Sequence, residues 1–271
     1  MADRFQTLEI VREGRVATVT FRRGDQLNAM NKAMQSEITA AFEALSAEAG
    51  VGAIVVTGEG RGFMAGADIK EYAAQSGSEF DAFQQTGERM YRAIEANAKP
   101  VIAAVNGFAL GGGFELVLCC DIVLAAPEAK FGLPEIKLGL VPGGGGTQRS
   151  VEKLGRNRAN LMLLTGAILP VADFIAAGLV AEIVPIEGLL PRAMELARMI
   201  AAEPPAAVEG LKRLTAMALA GDRAAGLAAE RDLVCALYRS EIGQARVQDF
   251  AAKSIARAAE KAAKAAAAKQ G

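Results

Sequence analysis

Asn106-Gly107-Phe108-Ala109-Leu110-Gly111-Gly112-Gly113-Phe114-Glu115-Leu116-Val117-Leu118-Cys119-Cys120-Asp121 is the stretch from which the fold can be read. An apolar run, Val101 to Val105, precedes it and predicts a buried strand. Gly111 to Gly113 then strip the side chains from a short span, so that another molecule can approach the backbone. A helix-length apolar run follows, with Glu115 in its first turn. The backbone N–H groups at a helix start lack intrahelical partners, and the helix dipole makes that end favourable for negative charge. Strand, bare glycines, helix start and one carboxylate together are a way to build an oxyanion hole beside an acid or base. The same features also serve as a plain turn with a dipole-complementing Glu, so the rest of the chain has to decide.

Working outward, Glu79 to Ala96 carries apolar residues at helical spacing through Phe80, Phe83, Met90 and Ile94, and Lys99-Pro100 ends it before the strand. On the other side Ile122 to Ala126 reads as a second buried strand. Nearer the N-terminus, Thr7 to Phe21 alternates around Glu13-Gly14 as a β-hairpin. Arg23 to Gln26 is a loop with Asn28 as a cap. Met30 to Ala47 is helical, and Ala53 to Thr57 is a strand ended by a glycine-rich loop. Two strands followed by a helix suggest a ββα unit reused along the chain.

Phe63 to Glu71 is a second place where small residues follow a strand and precede a helix, with Asp68 at the cap position. Glu135, just after Pro134, is a second carboxylate among apolar residues. Two carboxylates bracketing one site repel each other, and burial raises the pKa of one, so that one serves as acid and the other as base. Pro142 to Gly146 is glycine-rich but lacks the Gly-Lys-Ser/Thr ending of a phosphate loop. It reads as a tight loop before a helix starting near Thr147, with helical character again at Asn160 to Thr165. Pro170 to Ala177 is a short helix and Leu179 to Val184 the last strand. Leu189 to Ala201, Ala206 to Ala220 and Ala224 to Tyr238 are helical. A composition change at Glu203-Pro204-Pro205 divides a ββα core, residues 1–203, from a helical region, residues 204–271. The latter ends in an Ala/Lys-rich tail from Ala251 to Gln270.

The chain of 271 residues contains no histidine. That excludes a Ser-His-Asp triad, a Cys-His pair and a His-ligated metal, and leaves carboxylates, Lys, Tyr or Cys for acid–base work. A net charge of −1 offers no global attraction to nucleic acid or an anionic membrane. No apolar run has the length of a membrane span, and the first residues lack the apolar segment of a secretory signal. Three cysteines, two of them adjacent, argue against a disulfide framework and for the cytoplasm.

The chain resembles the crotonase, or enoyl-CoA hydratase/isomerase, superfamily over roughly residues 5 to 240. The stretches that carry the resemblance are Ala65 to Glu71, Lys99 to Gly107, Leu110 to Leu116, Phe131 to Glu135 and Pro142 to Arg149. The resemblance implies an α/β fold, a spiral of ββα turns with a helical C-terminal region that trimerises, often into a hexamer of two trimers. It implies an acyl-CoA thioester substrate and no cofactor, coenzyme A being part of the substrate. Ala67 and Gly112 match the residues whose N–H groups hold the thioester oxygen. Ala65 and the segment Asp68, Ile69 and Lys70 match positions along the bound CoA, and the loops near Arg23 and Ala29 are further CoA contacts. Glu115 and Glu135 match the two glutamates of the hydratases, with Glu115 as the base for water and Glu135 as the acid at C2. The segment Asp249 to Ser254 departs from the Phe-x-Glu-Lys-Arg ending common in the family. Three other readings stay open: a double-bond isomerase, a dehydratase of a specialised 3-hydroxyacyl-CoA, and a non-catalytic acyl-CoA- or RNA-binding member using its Lys-rich tail.

Overall fold

A computed structural model describes residues 3–219 and 221–253. The described residues fall into two compact units that divide between Glu203 and Pro204. In the first unit, β1 (Asp3–Arg4) and the hairpin β2 (Leu8–Glu13) and β3 (Val16–Phe21) lead to the helix α1 (Lys32–Ala47). The unit then repeats one pattern three times. β4 (Ala53–Gly58) and β5 (Gly62–Met64) precede α2 (Ile69–Ala74) and α3 (Gly77–Glu95). β6 (Val101–Val105) and β7 (Phe108–Leu110) precede α4 (Gly112–Cys119). β8 (Ile122–Ala125) and β9 (Lys130–Gly132) precede α5 (Gly146–Leu154) and α6 (Arg156–Thr165). The first strand of each pair joins a seven-stranded sheet and the second a four-stranded one. β4, β6 and β8 are parallel neighbours, as are β5, β7 and β9. Each ββα turn therefore stacks on the last. β10 (Ile168–Pro170), α7 (Val171–Ala176), β11 (Glu182–Ile183) and α8 (Ile186–Ala201) complete the unit.

The large sheet is covered on both faces, which explains the unbroken apolar run Val101 to Val105. Val101, Ala103 and Val105 belong to the main core with Ile54, Val56, Phe114 and Leu116. Ile102 and Ala104 face the other way, against Leu189, Ala193 and Ala197 of α8. The second unit contains α9 (Pro205–Leu219) and α10 (Arg223–Arg239), and residues 241–253 are also helical. The Ala/Lys-rich tail beyond residue 253 lies outside the described residues.

Several local expectations change. Asn28 caps no helix; Asn31 does, accepting from the Met34 N–H. Asn28 is instead a buried left-handed residue (φ 57°) that accepts from the Arg23 N–H and donates to the Glu59 and Gly62 carbonyls. Arg23 to Gln26 includes a 3₁₀ turn at Gly24–Gln26. Strands β5, β7, β9 and β10 have no counterpart among the elements expected from the sequence, because three residues are too few for a period of two to show.

Candidate active site

Two strand-to-helix turns lie against each other and open into one cavity. Gly66 (φ +101°) precedes Ala67, and Gly111 (φ +51°) precedes Gly112; such angles favour glycine. A Cβ on Gly111 would stand 3.7 Å from the Gly66 Cα, so the turns are neighbours. On either side of Ala67 the backbone is bonded to Met30. The Met30 N–H donates to the Gly66 carbonyl (2.7 Å), and the Asp68 N–H donates to the Met30 carbonyl (2.8 Å). The Ala67 N–H itself has no protein acceptor among the described residues, nor has the N–H of Gly112 at the start of α4.

Glu115 projects from the first turn of α4 and is only 3% exposed. Its Oε1 accepts from the Gly144 N–H (2.7 Å) and the Gly146 N–H (2.8 Å). Gly146 begins α5, an end suited to a carboxylate. The Tyr91 hydroxyl donates to the Gly112 carbonyl (3.1 Å) and stands 3.5 Å from Glu115 Oε2. Burial raises the Glu115 pKa, while the two N–H groups and the positive charge of Arg149 oppose that rise. Arg149 anchors the loop: it donates to the Gly144 carbonyl (2.6 Å) and pairs with both Glu95 carboxylate oxygens at 2.7 Å.

Glu135 opens the 3₁₀ turn Glu135–Leu138. A Cβ on Gly111 would come 3.1 Å from its Oε1, so the bare glycine makes room for this carboxylate. Its Oε2 is buried without a hydrogen-bond partner among the described residues. Burial, with a smaller contribution from the Glu115 charge, pushes its pKa up to about 7. Near neutral pH one carboxyl is thus held by two donors, and the other is poised between acid and base.

Of the residues singled out from sequence, Ala65, Ala67, Ile69, Gly112, Glu115 and Glu135 line a single cavity of about 660 Å³. Ala29, Asp68 and Lys70 do not. The Asp68 side chain accepts from the Lys70 and Glu71 N–H groups, capping α2, and pairs with Arg23 at 2.8 Å. The Arg23 hydrogen bond is the main reason its pKa is lowered. Arg23 also donates to the Ala29 carbonyl and to Gln26, tying this loop to the start of α2. Sequence reasoning missed Tyr91, Gly144, Gly146 and Arg149. Only the glycine run before α5 carried a signal: it binds an anion, but the anion is the protein's own Glu115. Among the described residues no cluster of three or more Cys, Asp or Glu side chains could hold a metal ion.

A model of the enoyl-CoA hydratase/isomerase family matches residues 11–262. The chain belongs to this family. It is 38% identical to a probable enoyl-CoA hydratase of Mycobacterium tuberculosis over 88% of this chain and 91% of that one. It is 41% identical to a crotonyl-CoA hydratase of Syntrophomonas wolfei over 72% and 76% of the two chains. The crystal structure of an enoyl-CoA hydratase from Bacillus anthracis superposes with a TM-score of 0.88 at 32% identity, covering 92% of this chain and 97% of that one. The expected ββα spiral is the fold this family member has. No helix among the described residues is long and apolar enough to cross a membrane. Cys119, Cys120 and Cys235 form no disulfide among the described residues.

Proposed function

We propose that the chain is an enoyl-CoA hydratase, adding water across the 2,3-double bond of a 2-enoyl-CoA to give the 3-hydroxyacyl-CoA. The observation that carries the reading is the pair of unlike carboxyls, Glu115 and Glu135, lining one cavity with the unpartnered N–H groups of Ala67 and Gly112. Attack of water at C3 moves negative charge onto the thioester oxygen. The Ala67 and Gly112 N–H groups receive that oxygen, and losing one such donor typically costs about 10²–10³ in rate. Glu115, whose charged form the two glycine donors favour, takes the proton from water. Glu135, with its pKa pushed up to about 7 and so protonated in part of the population at neutral pH, gives one to C2. The step balances without a redox or metal cofactor.

The substrate passes the segment Ala65 to Lys70, with Asp68 and Arg23 shaping that edge and Ala29 and Lys70 contacting the CoA outside the cavity. Residues 1–203 form the catalytic core, and the region from residue 204 onward, helical in its described residues, is a separate unit. Exposed Leu211, Leu219, Leu227 and Val234 on α9 and α10 support assembly into a homotrimer or a hexamer of two trimers. Three cysteines without a disulfide among the described residues support a cytoplasmic protein; its place is in fatty-acid oxidation, with no nucleic-acid or membrane partner.

The test is the loss of enoyl-thioester absorbance with crotonyl-CoA for the wild type, Glu115→Gln and Glu135→Gln. Turnover by the wild type, with a fall of several orders of magnitude in variants that still bind acyl-CoA, sustains the assignment. A folded wild type that binds CoA thioesters but hydrates none overturns it and brings isomerase substrates forward.

A further inference from the structure

Gln35 stands out among the residues lining the active-site cavity. It lies on the buried face of α1 beside Met34 and Ile38, and it is only 2% exposed. A side chain so placed is ordinarily apolar. Its Oε1 is fully buried with no hydrogen-bond partner among the described residues. Across from it, α3 has Gly87, where a Cβ would come 3.1 Å from Gln35 Nε2, a tight contact, and 3.9 Å from the Tyr91 ring. The bare helix surface gives the amide its space, on the wall shared with the tyrosine that touches Glu115. Leaving a buried amide oxygen unpaired destabilises a fold.

We infer that Gln35 is a specificity-determining residue that recognises a hydroxyl on the acyl chain of the substrate, beyond C3. The inference rests on the acyl-CoA reading of this cavity. A hydroxyl matches an amide at both ends. It donates to Oε1 and accepts from Nε2, so one substituent satisfies the side chain whichever way the amide is turned. A carboxylate can only accept and would leave Oε1 unpaired. A methyl or methylene would leave both amide atoms unpaired. A site built to hydrogen-bond a substrate hydroxyl discriminates against the analogue lacking it more strongly than an apolar pocket discriminates by size. The cavity lining holds further polar groups: Gln84 Nε2 donates to the Tyr72 hydroxyl at 3.0 Å, so the lining is not uniformly apolar.

Binding of non-reacting, saturated ligands tests this without relying on hydration. Dissociation constants are measured by calorimetry for hexanoyl-CoA, for adipoyl-CoA and for hexanoyl-CoA carrying one hydroxyl at the fourth, fifth or sixth carbon. The wild type and Gln35→Met, which keeps length and volume, are compared. One hydroxylated ligand is expected to bind the wild type about tenfold more tightly than hexanoyl-CoA, and Gln35→Met to abolish or reverse that preference. Gln35→Met should melt no lower than the wild type, because it removes an unpaired buried group. Equal affinities across the series in the wild type, a preference for adipoyl-CoA, or a hydroxyl preference that survives in Gln35→Met would each overturn the inference. Crotonyl-CoA turnover, followed separately, reports on the hydratase reading alone.

Discussion

Arg149 holds the loop that holds Glu115, and removing it should move a titration rather than simply weaken the fold. The guanidinium is 18% exposed, gripped by both oxygens of Glu95, and donates to the Gly144 carbonyl. The Gly144 and Gly146 N–H groups are in turn the two donors that oppose the burial of Glu115. In Arg149→Met the loop loses its anchor and Glu115 loses a nearby positive charge. A hydrogen bond to a charged group contributes about 1.5–3 kcal/mol. Loss of one glycine donor therefore removes stabilisation of that order from the ionised form and raises the Glu115 pKa further. A base must be ionised, so kcat/KM falls as pH drops through that pKa, and the variant should begin to fall at a higher pH. Because the rise in the Glu135 pKa to about 7 sets the opposite limb, the bell narrows from its acid side and its peak drops. The assay is the pH dependence of kcat/KM for crotonyl-CoA, with Glu95→Gln as a milder version of the same change. An acid limb that stays put in Arg149→Met, while the melting temperature falls, would refute the reasoning and leave Arg149 as packing alone.

The other expectations are briefer. In Glu135→Gln the alkaline limb should vanish together with about 10²–10⁴ of the rate, measured over the same pH range; a surviving limb would assign it to another group. Gly66→Ala has room for its methyl, 3.4 Å from the Leu110 carbonyl, but must hold a φ of +101°. Its kcat should fall by about 10²–10³ as the Ala67 N–H swings out of line, with acyl-CoA binding by calorimetry much less affected. Asn28→Ala strips three hydrogen bonds from a buried left-handed turn, and chemical denaturation should show a loss of about 2–4 kcal/mol. Gly113→Ala would set a Cβ 1.9 Å from the Met64 carbonyl oxygen, a contact between α4 and β5 that side-chain motion cannot relieve. That variant should fail to give soluble, folded protein.

What the sequence revealed followed the length and regularity of each signal. Val101 to Val105 declared itself because a strand covered on both faces must be apolar throughout, and the hairpin from Thr7 to Phe21 because its alternation extends over two strands. Phe108–Leu110 and Lys130–Gly132 are too short to leave a period, so the second sheet was invisible although it positions Gly111 and Glu135. Glu115 was legible as a carboxylate inside an apolar run. Its partners were not, since Gly144 and Gly146 act through backbone N–H groups and come from 29 and 31 residues away. Asn28 was misread because asparagine serves caps and left-handed turns alike, and only the neighbouring Glu59 and Gly62 carbonyls distinguish the two. Gln35 passed unnoticed as one polar residue in an amphipathic helix, its significance depending on the glycine opposite.

The absence of histidine reaches further than the exclusion of triads and metal ligands. Side chains with ordinary pKa values leave a nearly silent interval between about pH 5.5 and 7.5, and this chain has no imidazole to fill it. A proton exchanged there therefore traces to a displaced carboxyl, foremost Glu135. Calorimetry of ligand binding in buffers of different ionisation enthalpy, with Glu135→Gln as the reference that carries only the proton of the ligand's own phosphate, would count that proton. The C=O stretch of a protonated glutamic acid would show it in infrared difference spectra, with no imidazole signal to subtract. The composition thus makes the whole protein a reporter for a single acidic group.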